Sequence, residues 1–220
     1  MTRCMNRTSG TSAVRSSFQS AMDGFVALVA TVPPGQLDRA GLGTWSVRDL
    51  IGHASRALST IESYMGQTSD GAHLEGPAAY FAAAGAAPPG SAARAERDAS
   101  ITERAKESGE ALGDDPGAAV RALAAHVAAL VDASEDDTPM ATALGQMTLS
   151  TYLPTRTFEL VVHSLDVARA LDLEVPEALG SGIAASVVLA GEIAARHPAA
   201  PQVLLALCGR RGLPEAFSVV

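Results

Sequence analysis

The sequence predicts an all-α protein: an antiparallel four-helix bundle with accessory helices and a short C-terminal tail. Three observations predict it. Apolar residues recur at three- and four-residue spacing through several long segments. No stretch alternates apolar and polar residues strongly enough to require a sheet, and no internal repeat is present. The 220 residues are 47% hydrophobic, enough to bury a sizeable core and against global disorder.

The elements follow in order. Residues 1–11 carry no such pattern and are expected as a flexible N-terminus, 12–200 as the bundle, and 201–220 as a tail packed on it. Val14, Phe18, Met22, Phe25, Val29 and Val32 form one stripe of a helix from Ser12 to Val32, which Pro33-Pro34-Gly35 ends. Ser46 and Asp49 have the spacing of a capping box, with Trp45 and Leu50 at the two positions of a hydrophobic staple. The stripe continues through Ala54, Ala57, Leu58 and Ile61 to Met65, with His53 on or beside it. Gly66 to Ser91, rich in Gly, Ala and Pro, reads as a long connection with one short helix near Pro77–Ala84. Its length and missing core pattern make it the expected wall of a substrate pocket.

Ala92 to Leu112 is polar and helix-favouring, and Gly113 to Gly117 breaks it. Val120, Leu123, Val127 and Leu130 place a helix over Ala118 to Val131, before an acidic turn at Ser134 to Thr138. Phe158, Val161, Val162, Leu165, Ala168 and Leu171 make the apolar face of a helix within Leu149 to Leu173. Ile183, Val187, Leu189, Ala190 and Ile193 mark another from Gly180 to Arg196, closed by His197-Pro198. The tail holds the apolar run Val203 to Leu207, then Cys208-Gly209-Arg210-Arg211.

Composition narrows the function. A net charge of −8 argues against a nucleic-acid partner, and 4% aromatics against a base-stacking surface. No run of about 18 uninterrupted apolar residues marks a membrane span, and no apolar stretch follows Arg3 and Arg7 to make a secretory signal. Cys4 and Cys208, far apart, form neither a disulfide framework nor a metal knuckle. A cytoplasmic protein acting on small molecules is expected. A homodimer would bury any leftover apolar helix face.

Glu159 and His163 stand at i and i+4, so a helix projects both from one face. Such a pair can offer one carboxylate oxygen and one imidazole nitrogen to a single cation. Their apolar neighbours Phe158, Val162 and Leu165 make an unpaired buried carboxylate costly, which a metal would resolve. His53, in another apolar helix, is the natural third ligand. Three protein ligands with one open position make a catalytic zinc-type site, with nickel or iron as alternatives. Asp166 can take a hydrogen bond from His163 or pair with Arg169. His73 reads as a loop residue, His126 as a bundle histidine and His197 as a helix end.

Three segments resemble a known family. Thr44-Trp45-Ser46-Val47-Arg48-Asp49-Leu50 with His53 is similar to the opening signature of mycothiol-dependent maleylpyruvate isomerases, within the DinB/YfiT-like metalloprotein superfamily. Arg156-Thr157-Phe158-Glu159 through His163 and Asp166 resembles their second signature, and Leu204 to Pro214 resembles the ending of the actinobacterial branch. The resemblance implies His53, Glu159 and His163 as metal ligands, a four-helix bundle, and mycothiol as cosubstrate. The alanine and arginine excess, 43 and 15 residues against one lysine, fits GC-rich codons and such a source.

The expected chemistry is thiol S-transfer or isomerisation: a cation lowers the thiol pKa and the thiolate attacks a small electrophile. Arg210 is the expected catalytic arginine, binding a substrate carboxylate or the thiol. Cys208 would supply a competing protein thiol if the tail folded back over the metal. Two alternatives stay open: a metal-stabilised bundle that binds or regulates without turnover, and a bundle recruited for a thiol-independent biosynthetic step.

Overall fold

The computed structural model describes residues 2–220 other than Pro89 and Ala216, with side chains from Ser12 onward. The chain is 66% helix. The expected flexible segment 1–11 lies outside the residues described with side chains.

Helix α1 (Thr2–Thr31) buries Phe18, Met22, Phe25 and Val29. Helix α2 (Val47–Tyr64) starts at a true capping box: Ser46 Oγ accepts from the Asp49 amide and the Asp49 carboxylate accepts from the Ser46 amide. Short helix α3 (Pro77–Ala84) falls inside the Gly/Ala/Pro-rich connection. Helices α4 (Ala92–Ala111), α5 (Pro116–Asp132), α6 (Leu149–Leu171), α7 (Gly180–Ala195) and α8 (Ala200–Leu207) follow. Asp172 ends α6 in the left-handed conformation, at φ 55°. Both α1 and α2 pack against α5 and α6, while α4 lies along α2, and α7 covers α1 and α6. The core is shared among α1, α2, α5 and α6.

The structure adds a hairpin. Strands β1 (Pro139–Thr142) and β2 (Gly145–Thr148) pair antiparallel with Met140 opposite Met147, both buried. Four residues per strand give only two inward positions, too few to register as alternation. Thr142 Oγ1 accepts from the Leu144 and Gly145 amides and holds the turn.

Three apolar-face assignments change. Leu165 is 37% exposed because it lies one step round α6 from the buried stripe Leu160, Val161, Ser164, Val167, Ala168 and Leu171. Val187 is exposed on α7. His126 sits off the buried stripe Val120, Ala124, Val127 and Val131, and meets Glu62 of α2 at 3.2 Å on the surface. Glu177–Ala195, the 3-10 turn before α7 together with α7, is long and apolar enough to cross a membrane, with mean hydropathy 1.6. It packs on α1 and α6.

Candidate functional site

The direct packing of α2 on α6 brings three side chains together. His53 comes from the middle of α2, Glu159 and His163 from successive turns of α6. One donor atom from each lies within 4.8 Å of the others. The two imidazole rings stand nearly perpendicular, with centroids 4.8 Å apart. Glu159 Oε2 is 3.3 Å from His163 Nε2.

The surroundings set the charge of each group. His163 Nδ1 meets Asp166 Oδ2 at 3.3 Å, and Asp166 Oδ1 accepts from Arg169 at 3.1 Å. Both partners expected for Asp166 are therefore present. Burial opposes a charge on His163, but hydrogen bonds to Asp166 and Glu159 prevail and raise it to about 9. Burial pushes the Glu159 carboxyl up, yet the His163 hydrogen bond and the Arg156 charge hold it well below the usual carboxylate range. Burial and the neighbouring His163 hold His53 at about 4, so it is neutral. Its Nδ1 is buried with no hydrogen-bond partner among the described residues.

That orphaned nitrogen is the fit test for a metal. A buried polar atom without a partner is costly, and a neutral imidazole beside a carboxylate and a second histidine is a ready donor set. The residues fit a divalent cation held by His53, Glu159 and His163. Trp45 closes one side. Its ring lies 4.7 Å from that of His53, and its Nε1 donates to Thr102 Oγ1 of α4 at 3.1 Å.

The triad opens on a cavity of about 500 Å³ between α2, α3, α4 and α6. Tyr80, Phe81, Ala84 and Gly85 line it from the Gly66–Ser91 segment, as expected of that segment. Leu144 of the hairpin turn and Val220 also reach it. Arg210 does not line this cavity and is exposed in the tail, as is Cys208. His73 is exposed as well.

Sequence reasoning missed Arg156. It is buried, 7% exposed, and its guanidinium stands 4.7 Å from the Tyr152 ring centroid and 5.3 Å from that of Tyr80. Its place three residues before Glu159, on the same helix face, is a signal that was there to be read.

A family model described as "Mycothiol maleylpyruvate isomerase N-terminal domain" matches residues 18–168, which include His53, Glu159 and His163. No curated protein and no solved structure matches the chain.

Proposed function

The chain belongs to the mycothiol maleylpyruvate isomerase N-terminal domain family, and from that premise we propose a metal-dependent thiol S-transferase or isomerase. Mycothiol is the thiol and a small electrophile the second substrate. The observation that carries this reading is the convergence of His53, Glu159 and His163 on an open cavity. Three ligands facing free space favour catalysis, whereas a structural site closes its shell with a fourth protein ligand. In this reading α1, α2, α5 and α6 are the four-helix bundle, residues 201–220 its tail, and zinc the first choice of metal.

A bound cation supplies one thing: it lowers the pKa of a thiol it coordinates, so that thiolate is available at neutral pH. The chain's own residues do the rest. Asp166 accepts a hydrogen bond from His163 Nδ1 and so aims Nε2 at Glu159, where it would ligate once its proton has left. Burial keeps His53 neutral and available. Phe81, Phe158 and Val162 give the cavity apolar walls that shield a thiolate from water.

Metal analysis of purified protein and of a His53→Ala, His163→Ala double variant tests the site. The parent carries close to one equivalent of metal and the variant almost none; equal content in both overturns the ligand set. Incubation with mycothiol and a bimane electrophile, with and without chelator, tests the chemistry. A chelator-sensitive adduct is expected. Full metal content with no adduct from a panel of electrophiles favours a binding protein without turnover.

A further inference from the structure

Helix α7 carries more apolar surface than the fold covers. The stretch Glu177–Ala195 has a mean hydropathy of 1.6, yet only 33% of it is buried. A helix that is apolar all round is normally enclosed on every side. Here the inward face, with Gly182, Ser186, Leu189 and Ile193, packs on α1 and α6. The outward face is open. Ala184, Val187, Val188, Gly191 and Ala195 are all exposed, Val187 at 63% and Val188 at 64%. Their three- and four-residue spacing makes one stripe along the helix. Helix α8, which contacts α7, exposes Leu204 and Leu207 as well.

The charges around this stripe decide what covers it. Between Glu177 and Glu192 the chain has no charged residue. Glu177, Glu192 and Arg196 are exposed and form no ion pair among the described residues. Their order is self-complementary in one orientation. Two copies of α7 crossing antiparallel about a two-fold axis set each position opposite one equally far beyond the axis. With the axis between Ala184 and Val188, Glu177 faces the partner's Arg196, and symmetry repeats the pair at the other end. Ser181 then faces the partner's Glu192, a hydroxyl donor against a carboxylate. Ala184 faces the partner's Val188, so a small side chain receives a larger one. Parallel pairing sets Glu177 against Glu177 and Arg196 against Arg196, which like-charge repulsion disfavours. A lipid surface fits less well. The stripe has no basic residue before Arg196, and a net charge of −8 is repelled by anionic headgroups.

We infer that α7 pairs antiparallel with α7 of a second copy of this chain, with Glu177 and the partner's Arg196 closing the interface at each end. No described residue of α7 lines the cavity beside the triad, so the pairing is independent of the proposed chemistry.

The test is sedimentation velocity of the full chain from about 1 to 200 μM. A dimer with a dissociation constant in the micromolar range is expected, since a single helix pair is a small interface. Val188→Arg sets a cation beside its symmetry mate in the apolar centre and weakens the dimer by about tenfold or more. Glu177→Arg and Arg196→Glu each turn both end pairs into like-charge contacts and weaken it by about threefold to tenfold. The Glu177→Arg, Arg196→Glu double variant re-forms both pairs with signs exchanged and returns to within about twofold of the parent. The charge exchange carries the test by itself if Val188→Arg fails to fold. A parent that stays monomeric at about 200 μM, a dimer indifferent to Val188→Arg, or a double variant no tighter than either single overturns the inference. A monomer that floats with phosphatidylcholine vesicles also overturns it and makes lipid the occupant of the stripe.

Discussion

His163 sits between two carboxylates, and its two nitrogens have different tasks. Asp166 holds Nδ1, and Nε2 faces Glu159 where a cation would ligate. Asp166→Asn weakens the orientation of the ring and the basicity of Nε2 without removing a ligand. The expected result is a roughly 10- to 100-fold loss of metal affinity, measured by competition with a chromogenic chelator. Proton linkage gives a second expectation. In the metal-free protein folding raises His163 from 6.5 to about 9. Its charged form therefore stabilises the fold fully below about pH 6.5, and that contribution fades as pH rises through about 9. Metal uptake runs the other way, since the Nε2 proton must leave. Affinity rises roughly tenfold per pH unit toward that value, with about one proton released near pH 7. Titration in two buffers of different ionisation enthalpy checks the count. His53, held at about 4, is already neutral and adds no slope there. The Glu159–His163 pair was legible because i,i+4 spacing fixes a shared face. The spacing of Arg156 to Glu159 marked its face, but its contact with two tyrosine rings did not show there, because one ring comes from a helix far away in sequence.

The contact between α2 and α4 depends on two glycines. A Cβ on Gly52 would stand 2.2 Å from the Gly109 amide nitrogen and 2.5 Å from its Cα, so backbone would have to move. Gly52→Ala is expected to cost about 1–3 kcal/mol. Since α4 carries Arg94, Arg97 and Arg104, the same change also displaces the cavity wall. Ser46→Ala serves as the contrasting variant. It removes the Oγ that caps α2, at about 1 kcal/mol, and leaves the α2–α4 contact unchanged. Thermal melting shows the first change larger than the second. The cap and the bounds of α3 could be read from the chain. Helix α4 could be read only as polar and helical: spacing alone does not say whether a row of arginines faces solvent or a cavity.

For the whole molecule, a metal held by His53, Glu159 and His163 would tie α2 to α6, the two helices that also border the cavity. Binding to the folded state alone stabilises by mass action, about 2.7 kcal/mol at a hundredfold excess over Kd. For a chain of this size that corresponds to several degrees of Tm. Chelation of the parent should lower Tm by that amount, and the His53→Ala, His163→Ala variant should not respond to metal or chelator. A parent indifferent to both would show that no cation bridges the helices.

Periodicity, caps and turn residues are local properties, and the sequence by itself determined helices α1 to α7, their order and the Glu159–His163 pair, while α8 lay in the segment read as a tail. It also marked His53 as a donor in an apolar helix. Only the tertiary structure decided that α2 meets α6 with the three donors within 4.8 Å of one another. It alone set α4 with its arginines against the same cavity and left Arg210 exposed in the tail. The physical reason is range. Backbone hydrogen bonding and side-chain spacing act over one or two turns, whereas the site and its field arise from packing between segments a hundred residues apart.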